Sequence, residues 1–186
     1  MRSAPYVLLL LLPLWQPVWS ATIEGVTFAE SRRVDGAKLV LVGTGLQRHL
    51  IIYKVCVAGL YLPAGSQPAS VLKNVPKRLE IHYFHRIRAA QFATLTRKGI
   101  RENTTAAEYA RIGPQLNRFV AAYKTVRPGD RYELTYRPGK GVTLSLNGTA
   151  RISVKGAEFS KALYSVWLGK RPVTQDLKEG LLGGKS

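Results

Sequence analysis

Carboxylates and cysteine are what this 186-residue sequence has least of. It holds 11 Asp and Glu against 28 Lys and Arg, and one cysteine, Cys56. A single cysteine excludes an internal disulfide. Placed inside an apolar run, Cys56 reads as a small buried hydrophobe rather than a reactive thiol. The three histidines form no His/Cys cluster with metal-ligand spacing. His82 and His85 would share a face only on a helix, and RLEIHYF has the alternation of a strand. The few carboxylates are scattered, with no acid/base pair. Nucleophile elbow, phosphate loop, HExxH and dinucleotide fingerprint are all missing, which argues against a hydrolase or a phosphoryl-transfer enzyme. No internal repeat, low-complexity tract or long linker interrupts the chain.

A membrane-spanning run is missing too. MRSAPYVLLLLLPLWQPVWSAT places one cation, Arg2, before the apolar run Val7 to Leu14, then Pro13, Pro17 and the small Ser20. The run is too short, and too broken by proline, to cross a bilayer core that needs about 20 apolar residues. The layout is that of a secretory signal peptide cleaved between Ser20 and Ala21, with a retained anchor as the competing reading. Residues 1–20 are therefore expected to be a signal peptide and residues 21–186 one exported, periplasmic domain. A domain of that size can bury a large core without staples.

What is plentiful is positive charge. The chain carries +17, and the first twenty residues contribute only Arg2. Such a surface favours anionic partners. Yet the cations are dispersed, the densest groups being Lys77-Arg78, Arg86 with Arg88, and Arg97-Lys98 with Arg101. None interleaves with exposed aromatics as in a single-strand binder, and export also argues against nucleic acid. The charge is read as a solvated face with affinity for an anionic membrane surface.

Along the chain, ATIEGVTFAE, KLVLVG, HLIIYKVCVAGLYL and KRLEIHYF alternate as strands do, with Asp35-Gly36 of SRRVDGA as a hairpin turn. The third strand is apolar on both parities, so it should be central and covered on both sides. PASVLKN suggests one or two helical turns. RAAQFATLTRKGIREN is a helix with Phe92, Leu95 and Gly99 on one face and Arg97 with Arg101 on the other. Thr105 and Glu108 form a capping box for the next helix, and Pro114 suits a first helical position. Leu116, Phe119, Val120 and Tyr123 then make a core stripe. DRYELTYRPGKGVTLSLNGTARISV is a meander turning at RPGKG and Asn147-Gly148. AEFSKALYSVWLG and TQDLKEGLL close the chain as helices, the first ended by Gly169. Helices grouped between antiparallel strands define an α+β domain. Asn103-Thr-Thr and Asn147-Gly-Thr are formal glycosylation sequons.

GTGLQRHLIIYKVCVAGLYLP, the SLNG meander and GAEFSKALYSVWLGKRPVTQDLKEGLLG together resemble the chalcone isomerase-like family, specifically its exported bacterial members, from about Ala21 to Gly183 and in the same order. The resemblance implies an open-faced β-sandwich, a large antiparallel sheet with a helical layer enclosing an apolar cleft. It also implies either of two activities, chalcone cyclisation or non-catalytic fatty-acid binding. In the fatty-acid binders an arginine and a tyrosine hold the carboxylate, and matching the GLYL block puts these at Arg48 and Tyr61. A guanidinium and a phenol suit that task, and an apolar cleft takes the chain at about 0.8 kcal/mol per methylene. The enzymes' threonine aligns with Cys56 and a late-helix polar residue with Val166. Tyr109, and more weakly Asn117, are the counterparts of the helical tyrosine and asparagine. With the catalytic hydroxyl replaced, cyclisation is not expected.

The expected protein is thus an exported, monomeric, non-enzymatic binder of a fatty acid or similar amphiphilic carboxylate. Arg48 and Tyr61 hold the head group; Cys56, Tyr109 and Val166 are pocket candidates; no cofactor and no metal is expected. An isomerase or lyase-like enzyme on a small substrate and a basic, membrane-surface-associated structural protein are the alternatives. One condition attaches to the clamp. Arg48 and Tyr61 are an odd number of residues apart, so a straight strand would send them to opposite faces. A bulge at Gly59, or a loop at Arg48, would have to break parity.

Overall fold

Seven antiparallel strands in chain order make one curled sheet, and helices fill its inner side. The computed structural model describes residues 20–49 and 53–184. The expected signal peptide lies outside the described residues except for Ser20, as do Leu50, Ile51 and Ile52 of the expected third strand. The sheet comprises β3 (Ser31–Val34), β4 (Ala37–His49), β5 (Tyr53–Pro63), β6 (Lys77–Tyr83), β7 (Arg131–Arg137), β8 (Gly141–Leu146) and β9 (Thr149–Val154). A separate hairpin of β1 (Ser20–Ile23) and β2 (Val26–Ala29) covers part of its outer face. Helices α1 (Ala89–Asn103), α2 (Ala106–Arg111) and α3 (Gly113–Ala121) connect β6 to β7, and α4 (Ala157–Leu168) and α5 (Gln175–Leu181) follow β9. The class is α+β, an antiparallel sheet with a helical layer, as the sequence implies.

Several local signals act as read. The Thr105 hydroxyl accepts from Glu108 N while the Glu108 carboxylate accepts from Thr105 N, closing the capping box of α2. Leu116, Phe119, Val120 and Tyr123 are all buried in the main core. Asp35 and Asn147 take left-handed φ of 49° and 50°, each followed by a glycine, so both hairpin turns have the geometry that Asx-Gly pairs favour.

Other readings are corrected. ATIEGVTFAE is not one strand but the β1–β2 hairpin, turning at Glu24-Gly25. SRRV, taken as part of a turn, is β3, because its Arg32 reaches a buried carboxylate on β6. Leu95, expected on the inner face of α1, is 56% exposed, and Thr96 is buried instead, hydrogen-bonded to the Tyr123 hydroxyl at 3.0 Å. Gly59 is not a bulge: it pairs regularly with Thr44 and Glu80, and a side chain there would meet the Phe28 ring at 2.7 Å.

The G-x-G element of β4 has a packing role. A Cβ at Gly43 would strike the Gly180 carbonyl oxygen, and one at Gly45 the Leu177 oxygen at 2.7 Å. Gly180 reciprocates, its missing Cβ lying 2.6 Å from the Thr44 oxygen. Helix α5 therefore rests its backbone directly on β4, which larger residues at these positions would forbid.

Candidate binding cleft

Alternation along β5 sorts its residues between two environments. Cys56, Ala58, Leu60 and Leu62 face the main core with the helices, whereas Val57 packs with Val26 and Phe28, and Tyr61 with Val34 and Leu39, on the outer side. The hairpin and β3 thus explain why the strand is apolar on both parities. Burying side chains such as Val57 and Phe28 contributes about 1.5–3 kcal/mol each.

Between the inner face and helices α1 and α4 lies a cleft of ≈ 80 Å³. Its walls are mostly apolar and aromatic. Tyr83, Phe92, Tyr123 and Tyr132 form one ring cluster, with centroids 5.2 to 6.1 Å apart and mostly edge-to-face. Val166 closes it from α4, where it meets Gly99 of α1 closely enough that a Cβ on Gly99 would lie 3.0 Å from it. The mouth is apolar as well: Leu95 of α1 and Val173 line the cleft yet are 56% and 40% exposed.

Polar groups in the cleft are few. The β4–β5 ladder skips Val42, which carries Gln47 opposite Cys56, and skips Val55, which carries Arg48 opposite Lys54. Gln47 and Cys56 consequently both line the cleft, and the Cys56 thiol donates to Gln47 Oε1 at 3.4 Å. Burial pushes the Cys56 thiol up to about 12, which keeps it protonated and rules it out as a nucleophile at neutral pH. Burial likewise raises Tyr83 and Tyr123 above the ordinary phenol range. Among the described residues, no Asp, Glu, Lys, Arg or His lines this cleft.

The structure brings Cys56 and Val166 together here and does not bring Arg48 and Tyr61 to the same place. Arg48 follows Gln47 on β4, is 45% exposed and stands 3.6 Å from Glu24 on the β1–β2 turn, where Lys54 also binds Glu24. Tyr61 is fully buried on the outer side of the sheet, with the Arg32 guanidinium 5.5 Å above its ring. Its hydroxyl finds no hydrogen-bond partner among the described residues. Tyr109 lies on α2 beneath Arg101, at 5.0 Å from its ring, and Asn117 on α3; neither lines the cleft. Gln47, Tyr83 and Thr96 escape the sequence reading, which has Tyr123 only in a core stripe, because neither the irregularity at Val42 nor the register of α1 leaves a composition signal.

The cations of the outer face serve structure. Glu80 is buried and receives Arg32 Nε at 2.6 Å and Nη2 at 3.1 Å, Arg78 Nε at 2.8 Å and Arg131 Nη1 at 2.9 Å. Burial alone would raise its pKa, but these arginines outweigh it and hold the carboxyl down at about 2. Glu133, directly opposite on β7, is raised by its burial. Among the described residues no His/Cys/Asp/Glu group could hold a metal, and no helix is long and apolar enough to cross a membrane.

A meandering antiparallel sheet wrapped on helices, with a narrow uncharged cleft between the layers, defines an α+β protein of the chalcone isomerase type. The sequence profile described as chalcone isomerase-like matches residues 20–183, and the chain belongs to that family. A crystal structure of a fatty-acid binding protein from Arabidopsis thaliana has the same fold, with a TM-score of 0.70 at 14% identity, over 89% of this chain and 96% of that one. No curated protein matches the sequence.

Proposed function

We propose that this protein is an exported, monomeric, non-enzymatic binder of a single-chain amphiphile, a fatty acid or related acyl compound, held in the cleft between sheet and helices. The observation that carries this reading is the cleft itself: narrow, walled by apolar and aromatic side chains, and opening between Leu95 and Val173. At ≈ 80 Å³ it is well below the roughly 300–1,000 Å³ of pockets that enclose drug-sized ligands. A flat multi-ring substrate would have to displace the Gly99–Val166 contact, whereas an extended chain enters end-on and leaves its remainder at the mouth. The name of the Arabidopsis neighbour supports the same ligand class. A protonated Cys56 offers no base for cyclisation, which favours binding over turnover.

Loading from an anionic membrane surface fits the exposed apolar mouth on a chain of net charge +17. Native mass spectrometry of protein purified from cells, before and after organic extraction, tests the proposal. A co-purifying acyl mass, lost on extraction and regained on incubation with lipid extract, is expected. A protein that arrives empty and takes up no amphiphile would sink it.

A further inference from the structure

Hydrogen-bond bookkeeping inside the cleft shows which head group it suits. Three of its polar side chains are satisfied internally. Thr96 and Tyr123 bond each other at 3.0 Å, and the Tyr132 hydroxyl donates to Lys124 O at 2.8 Å while accepting from Lys124 N at 2.7 Å. The Cys56 thiol occupies Gln47 Oε1. Two groups remain. The Gln47 Nε2 amide has donors to give, and the Tyr83 hydroxyl can donate or accept; neither makes a hydrogen bond within the described residues. Tyr83 is only 6% exposed as a residue, yet its hydroxyl is not among the buried atoms left without a partner, so it stays accessible from the cleft.

Both groups are neutral, and among the described residues nothing charged lines the cleft. The nearby cations of the sheet are engaged on its other face: Arg32, Arg78 and Arg131 surround Glu80. A carboxylate entering the cleft would lose its hydration and gain no cation, so it would take up a proton instead. An alcohol, ester or protonated carboxyl meets no such penalty. Its oxygen can accept from Gln47 Nε2 and from Tyr83, and a hydroxyl can also donate to the Tyr83 oxygen.

We infer that the head-group subsite formed by Gln47 and Tyr83 selects an uncharged oxygen, so that the ligand is an acyl ester, a fatty alcohol or an un-ionised fatty acid rather than a carboxylate ion. This rests on the reading of the cleft as a site for acyl amphiphiles, and names the ionisation state that the site accepts. It also predicts that a fatty acid binds better as pH falls through the carboxyl range near 4 to 5.

The test is competition for the neutral single-chain probe methyl cis-parinarate on the delipidated mature protein at about pH 8, where a carboxylic acid is ionised. Dodecanol and methyl dodecanoate are expected to displace the probe at concentrations at least about tenfold lower than dodecanoate, a difference of about 1.4 kcal/mol. Tyr83→Phe, which keeps the ring and removes the hydroxyl, should narrow that difference, read against the variant's own affinity for the probe. Dodecanoate binding as tightly as dodecanol at that pH would overturn the inference and leave acyl binding standing. Failure of all three compounds, and of the probe, would overturn both.

Discussion

Gln47 and Cys56 face each other across the β4–β5 ladder, the thiol donating to the amide oxygen at 3.4 Å. The pairing fixes Cys56 as a hydrogen-bond donor and orients the Gln47 amide. With burial pushing the thiol up to about 12, only about one thiolate in ten thousand exists near pH 8. The native protein should therefore resist a charged disulfide reagent for hours at that pH. One equivalent should react promptly once denaturant is added. Stoichiometric labelling of the folded protein would contradict the assigned burial.

Glu80 should govern acid stability. In the folded protein its carboxyl is held at about 2, against 4.5 ordinarily. Between those values the unfolded chain binds the proton and the folded one does not. Its stabilisation is therefore complete above about pH 4.5 and is lost as pH falls through about 2. Glu80→Gln leaves three arginines facing one another, and should cost about 3–5 kcal/mol at neutral pH. Urea titrations of both proteins across this range would show the difference, with the variant less sensitive to acid.

Tyr61→Phe should keep or slightly raise stability. The hydroxyl is buried without a partner among the described residues, so its removal takes away a desolvated polar group worth roughly 1 kcal/mol. Acyl loading by native mass spectrometry should be unchanged, since the ring lies on the outer side of the sheet. A variant that folds normally but arrives empty would instead restore a tyrosine clamp.

Lys77 adds a second rise of stability with pH, in the alkaline range, because here burial penalises the charged form. It is fully buried, donates from Nζ to Lys73 O at 2.7 Å, and sits over the rings of Tyr136 and Tyr164 at 4.6 and 5.4 Å. Burial lowers its pKa from 10.5 to about 8. Between those values the unfolded chain holds the proton and the folded one has released it, so stability rises with pH across that window. Lys77→Met should stabilise the protein near pH 7 by about 1–3 kcal/mol. The gain should fade above about pH 10, measurable as converging thermal midpoints.

The seat of α5 can be tested at Gly45. Gly45→Ala places a methyl 2.7 Å from the Leu177 oxygen and should cost about 1–3 kcal/mol as the helix is pushed off β4. Hydrogen exchange should report it first in residues 175–181, with the β6–β9 ladder still protected.

Much of this architecture is legible in the sequence because its causes are local. The capping box of α2, the stripe on α3 and the Asx-Gly turns each need only a few neighbouring residues. What could not be read depends on distant partners. The double-sided apolarity of β5 does not say which parity meets the helices, since Phe28 and Val34 cover the other one. The irregularity that turns Gln47 inward arises from a single unpaired residue of β4, Val42. The arginines around Glu80 come from β3, β6 and β7, and only the sheet order makes them neighbours. Leu95 has the spacing of a core residue, yet it lies at the cleft mouth.

The cleft draws its walls from Gln47 near one end of the chain to Val173 near the other, with the helices between β6 and β7 contributing in the middle. Contacts of such wide sequence separation form slowly and late. During refolding, the sheet's hairpins can form before α1 and α4 meet at Gly99 and Val166. Recovery of a cleft-directed dye's fluorescence should thus lag behind recovery of the far-ultraviolet signal, timing the moment when the two halves of the chain close on each other.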